Sequence, residues 1–322
     1  MIEVVSIPPL ATVQDLGRVG HWRQGLGRAG AMDPLALRVA NLLLGNIEGA
    51  AALEIPLTPA GFVFAQDTVF SLAGAACGAT LDGVALPRCW AGSAKAGQDL
   101  SLGAMRDGSR VYLGLPGGID VPEMLGSRST QLREGFGGYQ GRVLAAGDTL
   151  SGAAPCARMA SISYALPALR EEGAADITLR VLPSSETGEF SEASIKAFFD
   201  QPYTVTPASN RQGFRLEGPE LQRKETGELR SHGIAPGIVQ VPGGGQPIIQ
   251  LADSATMGGY PKIACVIEPD LWRIAQARPG DTLRFVRVDM KQARDAETAE
   301  IAMLDEARRA IAQSRHLQQT WS

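Results

Sequence analysis

A chain of 322 residues with 44% hydrophobic and 20% charged side chains is long enough to bury about two globular cores. Its formal net charge of −4 gives no electrostatic footprint for nucleic acid or an anionic membrane surface, and no run approaches the roughly 18 apolar residues of a membrane span. The opening MIEVVSIPPLATVQD has no basic region followed by an apolar stretch, so a cytoplasmic chain without a secretory leader is expected.

The first polar concentration is TVQDLGRVG, which places Gln14, Asp15 and Arg18 in one short stretch. GLGRAG follows, a G-x-G-x-x-G at Gly25, Gly27 and Gly30. A dinucleotide turn needs a buried hydrophobic strand directly before its first glycine. The residues here are GRVGHWRQ, polar and broken by Gly20, so the dinucleotide reading fails on context. The next helix is well specified, with Asp33 as N-cap, Pro34 at the first helical position and Gly45 just past the last apolar residue. Asp33 disfavours a phosphate at that helix end unless Arg18, Arg23 or Arg28 intervenes. The sequence thus predicts a capped helix that plugs one end of a barrel.

Short β-branched or apolar runs then recur between glycine and proline punctuation: GFVFAQDTVFSLAG, RVYLGLPGG, ITLRVLPS, PIIQLAD and TLRFVRV. Strands at this spacing predict barrels or sandwiches. A glycine–aspartate turn leading into leucine appears at Gly97, Gly147 and Gly280, which hints at a duplicated unit. Ser151–Asp176, rich in Ala, Pro and Ser, reads as a linker. The expected organisation is one β domain over 1–155, a second over 175–288 and a helical tail over 289–322. On the tail Ile301, Leu304, Ala307 and Ile311 share one face, and Asp305 can pair with Arg309. Such a tail either docks on a barrel or a neighbouring chain, or stays solvated.

Cys77, Cys89, Cys156 and Cys265 lie far apart without C-x-x-C spacing, so buried free thiols are expected. His21, His232 and His316 stand singly, and no metal site is expected. Walker A, G-x-S-x-G and H-E-x-x-H patterns are absent. What remains is a set of polar clusters embedded in glycine. GLPGGIDVPEMLGSRST offers Gly117, Gly118, Asp120, Ser127, Arg128 and Thr130, and GFGGYQGR adds Tyr139 and Arg142. TPASNRQGFRLEG carries Asn210, Arg211 and Arg215; the stretch from Ser231 to Ala264 carries Gln240, Asp253, Tyr260 and Lys262. Arg, Lys and backbone N–H groups suit carboxylate, carbamate or phosphate oxygens, while Asp and Gln suit an amide. The candidates for catalysis are Asp15, Arg128, Asp253 and Lys262. Substrate binding falls to Gln14, Arg18, Asp33, Gly117, Gly118, Asp120, Ser127, Thr130, Asn210, Arg211, Gln240 and Tyr260.

TVQDLGRVG, GAMDPLALRVANLLLGN, YLGLPGGIDVPEMLGSRST, PYTVTPASNRQGFRLEG and GIVQVPGGGQPIIQLADSATMGGYPKIA together resemble the KipA-like family over about residues 2–288. That family includes the C subunit of 5-oxoprolinase, allophanate hydrolase subunit 2 and one half of the carboxyltransferase region of urea carboxylase. The resemblance implies a mainly β fold of two cyclophilin-like β-barrel domains with a few short helices and a C-terminal helix. It also implies two partners, a KipI-like protein and a LamB/YcsF-like protein, as the other subunits of a heteromer. The implied reaction is 5-oxo-L-proline, ATP and water giving L-glutamate, ADP and phosphate, with ATP and magnesium on a subunit the sequence does not identify. Two alternatives stay open: a carboxyltransferase half acting on urea or another small amide, and a KipA-type regulatory binding protein. No A-M-K-M context is present, so the chain is not expected to carry biotin itself. The segment GAACGATLDG departs from the family pattern, in which an acidic residue commonly stands near Ala76.

Overall fold

The computed structural model describes residues 1–155, 159–225, 227 and 229–320, with the side chains of 317–320 left aside. It is mainly β, with few helices and a long C-terminal one, as the strand-and-turn pattern implies. Two compact units emerge, neither contiguous in sequence. The first comprises Met1–Arg18, Ala29–Pro167 and Ile301–Ser322; the second comprises Val19–Arg28 and Ala168–Glu300.

In the first unit the strands are β1 (Ile2–Ser6), β2 (Thr12–Gln14), β3 (Ala52–Pro56), β4 (Ala60–Phe64), β5 (Thr68–Ala76), β6 (Thr80–Leu81), β7 (Val84–Ala85), β8 (Trp90–Ala94), β9 (Asp99–Leu102), β10 (Asp107–Gly114), β11 (Thr149–Leu150) and β12 (Ile162–Ser163). They form two six-stranded sheets, ordered β11-β1-β4-β9-β6-β7 and β12-β8-β5-β10-β3-β2. Alternation along the strands explains the shared core: Ile2, Val4, Phe62 and Phe64 of one sheet meet Val13, Leu53, Ile55, Phe70 and Val111 of the other. The Phe64 and Phe70 rings lie 4.8 Å apart across this interface.

Helix α1 (Pro34–Leu44) packs on β5, β10 and β8. Its ends are those the sequence specifies: Asp33 accepts from the Ala36 N–H, and Gly45 takes the left-handed conformation after Leu44. Beneath its start, Tyr112 donates to Glu54 at 2.6 Å, and Glu54 also accepts from the Met32 N–H. An internal carboxylate already occupies this helix end, so it offers no free anion cradle.

The second unit contains β13 (Ile177–Pro183), β14 (Tyr203–Val205), β15 (Gly213–Glu217), β16 (His232–Gly233), β17 (Ile238–Gln240), β18 (Ile248–Gln250), β19 (Met257–Gly258), β20 (Lys262–Val266) and β21 (Thr282–Arg287). Seven of them close a barrel, β13-β20-β17-β18-β15-β14-β21, sealed by the parallel pairing of β13 with β21. Strands β16 and β19 form a separate two-stranded ribbon. Helix α2 (Glu192–Asp200) lays Phe198 flat on Phe285 of β21, with ring centroids 4.3 Å apart, and α3 (Leu271–Gln276) follows β20. Gly97, Gly147 and Gly280 all have φ near +90°, confirming three glycine turns that feed β9, β11 and β21.

Helix α4 (Met290–Thr320) divides its length between the two units. Leu304, Ala307 and Ile311 are buried, whereas Ile301 is 55% exposed. Asp305 pairs with Arg308, not with Arg309 as the i,i+4 spacing suggests, because Arg308 also reaches Glu48 after α1. Arg315 donates to the Leu43 carbonyl, satisfying an acceptor at the α1 C-terminus. Cys77 and Cys89 are buried free thiols and Cys265 is half-buried, while Cys156 lies outside the described residues. No helix among the described residues is long and apolar enough to cross a membrane.

Candidate functional site

The glycine motif resolves into turn chemistry. Gly25 ends the 3-10 turn Trp22–Gln24 in the left-handed region. Gly30, at φ +90°, lies so close to Gly17 that a Cβ would stand 2.8 Å from the Gly17 nitrogen. Gly30 thus lets the chain pass close against the backbone that follows β2.

In the first unit Asp15 is the centre of a tight cluster just after β2. Its Oδ1 accepts from the Gly17 N–H at 2.7 Å, Ser127 Oγ at 2.7 Å and Ser129 Oγ at 2.5 Å; Oδ2 accepts from the Arg128 N–H at 2.6 Å. The carboxylate therefore clamps the segment Ser127–Ser129 to the β2 exit. Thr130 continues the clamp, donating through both its N–H and its hydroxyl to the Val13 carbonyl. Gln14 donates to Thr12 and to the Thr130 carbonyl, leaving its buried Oε1 without a hydrogen-bond partner. Arg18 is fully buried: it donates to Gln131 Oε1 and the Ser129 carbonyl, with its guanidinium 4.8 Å from the Phe136 ring centre.

The side chain that this scaffold presents outward is Arg128, whose Nε donates to the Val121 carbonyl and whose NH1 lies 3.7 Å from Glu123. Gly117 and Gly118 serve close packing, since a Cβ would meet Ala154 at 2.7 Å or Ala50 at 2.9 Å. Asp120 is exposed and Asp33 is spent on the α1 cap, so neither joins the Asp15 cluster. Arg142 is tied to Asp148 through two bonds of 2.7 and 2.8 Å. Hydrogen bonding by Arg142 is the main reason that the Asp148 carboxyl lies below its ordinary 3.8.

In the second unit Arg211 and Asp253 form a bidentate pair, and Asn210 uses its Oδ1 to accept from the Gln212 and Gly213 amides. Lys262, the first residue of β20, is different. Its side chain is only 6% exposed, and Nζ meets His232 Nε2 on the β16–β19 ribbon and approaches Glu186 Oε1 at 3.7 Å. His232 Nε2 also lies 2.7 Å from Glu186 Oε1, while Nδ1 faces the Arg230 carbonyl at 2.9 Å. Glu186 Oε2 accepts from the Lys262 N–H at 2.7 Å, which fixes the carboxylate beside the amine. Nearby, Gln240 donates to the Tyr260 carbonyl and accepts from Gln250, and the Tyr260 side chain is exposed.

Sequence reasoning found Lys262 but not Glu186 or His232. A lone histidine in RSHG and a glutamate 76 residues before its lysine give no local signal; the pairing of β13 with β20 and the β16–β19 ribbon bring them together. A buried amine held by a carboxylate and an imidazole can supply positive charge to an oxygen and can exchange a proton. Among the described residues, no three His, Cys, Asp or Glu side chains gather so as to hold a metal ion.

Comparison with known proteins agrees with this architecture. Residues 24–287 match the carboxyltransferase domain family, subdomain A and B. The chain is 42% identical over 297 residues to the C subunit of 5-oxoprolinase from Escherichia coli (strain K12), covering 91% of this chain and 93% of that protein. It is 40% identical to the protein of the same name from Haemophilus influenzae, covering 97% and 99% respectively. The crystal structure of K. lactis urea amidolyase superposes with a TM-score of 0.88 at 31% identity, covering 95% of this chain but 20% of that one. The chain belongs to the carboxyltransferase domain family, subdomains A and B, in the group that includes the C subunit of 5-oxoprolinase.

Proposed function

We propose that the protein is the C subunit of an ATP-dependent 5-oxoprolinase, converting 5-oxo-L-proline, ATP and water to L-glutamate, ADP and phosphate. It acts together with a KipI-like and a LamB/YcsF-like partner. The observation that carries this reading is the match to two proteins named as 5-oxoprolinase C subunits over nearly the full length of both partners.

In this reading the candidate cations are Arg128 in the first unit and the buried Lys262 in the second, each considered on its own as a source of positive charge for an oxygen at which negative charge develops. Asp15 and Asp253 have their oxygens engaged by the protein's own donors, so they act as positioning residues. Arg18, Arg211, Ser127 and Thr130 support them, and Gln240 and Tyr260 border the lysine. ATP and magnesium belong to the assembled complex in this reading, on a subunit that neither the sequence nor the fold of this chain identifies.

The carboxyltransferase reading is favoured by the superposition on urea amidolyase. Offering the assembled complex each substrate set separates the readings. An oxoprolinase yields glutamate from 5-oxoproline and ATP with avidin present. A carboxyltransferase half instead requires bicarbonate and a biotinylated carrier, and a regulatory protein yields no product with either set.

A further inference from the structure

The imidazole of His232 is contested. Its Nδ1 faces a carbonyl, which only accepts, so Nδ1 carries a hydrogen. Its Nε2 touches both a carboxylate oxygen of Glu186 and the amine of Lys262. A neutral ring then presents a lone pair at Nε2, which accepts from the Lys262 ammonium but repels Glu186. An imidazolium donates from Nε2 to Glu186 but then faces a lysine that must give up a proton. One position on Nε2 cannot satisfy both neighbours in a single protonation state, so the trio has two arrangements of equal charge that differ in whether one proton sits on Nζ or on Nε2.

Exposure gives this direction. The Lys262 side chain is 6% exposed and that of His232 is 41% exposed, so of the two touching groups the imidazole is the one open to water. Among the described residues, the charged groups that contact the ring are Glu186, from the loop after β13, and Lys262, from β20. The paired strand β19 brings Met257 and Gly258, which do not titrate, and Arg230 contributes its carbonyl.

We propose that His232 and Glu186 form a proton relay that reloads Lys262 from solvent during turnover. The idea rests on the oxoprolinase reading for the identity of the proton acceptor. When the ring C–N bond breaks, its electron pair stays on nitrogen, and that nitrogen takes a proton from Lys262 Nζ. The neutral amine that remains is recharged by the Nε2–H of His232 after the ring has gained a proton from water, and Glu186 stabilises the transient imidazolium. Lys262 is the group that touches substrate; His232 and Glu186 are positioning residues that act through it.

Two measurements decide the proposal. The first is 15N NMR titration of His232 in this chain alone, in the wild type, Lys262→Met and Glu186→Gln. A relay requires coupled titration, so Lys262→Met moves the imidazole transition to higher pH and Glu186→Gln to lower pH; a transition unmoved in both overturns the relay. The second is turnover of the reconstituted complex with His232→Ala and His232→Gln. The relay predicts a fall in kcat of about 100-fold in both, with assembly intact and KM little changed. Added imidazole then restores at least about tenfold of the His232→Ala loss, because the position is open to solvent. Intact assembly with unaltered kcat, or a kcat loss that imidazole does not rescue, overturns the relay. A wild-type complex inactive on 5-oxoproline would refute the functional reading alone, since the titration is read without turnover.

Discussion

Arg211 and Asp253 meet edge to edge, Nε 2.8 Å from Oδ2 and NH2 2.9 Å from Oδ1, with both side chains more than nine-tenths removed from solvent. The Asp253 N–H also donates to the Arg211 carbonyl, so the pair ties the loop before β15 to the loop after β18. Removing one partner leaves a buried charge without its counterion, which typically costs about 3–5 kcal/mol. Asp253→Ala is therefore expected to lower the stability read from urea unfolding by that amount, while the double change Arg211→Met with Asp253→Leu loses much less. Equal losses in single and double variants would contradict the structural role given to the pair.

Asp15 is a clamp with four donors on one carboxylate. Asp15→Asn replaces one acceptor oxygen with a donor facing other donors, and an unsatisfied buried group costs about 1–3 kcal/mol. The loss is expected to be local. Amide hydrogen exchange should speed up at Gly17 and Arg128 while the β5 and β10 amides keep their protection. Uniform acceleration across the unit would show that the clamp is part of the global core instead.

The Arg142–Asp148 pair gives a pH signature. The folded-state carboxyl of Asp148 is held below 3.8, chiefly by its hydrogen bond with Arg142. A depressed acid pKa contributes stability at pH above the unfolded value, and that contribution disappears as pH falls through the folded value. The stability difference between wild type and Arg142→Met should be constant from pH 7 to about 5 and shrink below about 4. Arg142 is partly exposed, so the difference is small and falls further with added salt. A difference that grows on acidification would reverse the assignment.

The end of α4 is bound to the first unit by Leu304, Ala307, Ile311 and the Arg315 contact with the Leu43 carbonyl. Ile311→Ala should cost about 2–4 kcal/mol, and Ile311→Asp should free the end of the helix. Limited proteolysis then cuts Ile311→Asp within α4 and spares the wild type. Equal resistance in both would mean that the buried stripe does not hold the helix.

Much of this fold is legible because local chemistry sets it. Asp33, Pro34 and Gly45 mark α1 to the residue, and three glycine–aspartate turns announce the strands that follow them. The C-terminal stripe identifies Leu304, Ala307 and Ile311, but not the exposure of Ile301 or the preference of Asp305 for Arg308, since both depend on where the docking surface begins and on Glu48. The polar clusters are legible as clusters. Their internal wiring is not: Asp15 looks the same in sequence whether its oxygens face substrate or four of its own neighbours. Glu186 and His232 escape notice for a related reason, because residues 46 apart are brought to Lys262 only by the tertiary fold of the second unit.

The proposed function is tested most directly by reconstitution with a KipI-like and a LamB/YcsF-like protein as the proposed partners, following glutamate and ADP from 5-oxoproline and ATP while each component is omitted in turn. The account predicts glutamate formation that requires this chain and falls to background when wild type is replaced by Lys262→Met in an intact complex. Glutamate formed at the full rate without this chain, or an intact complex that forms none with it, would contradict the account.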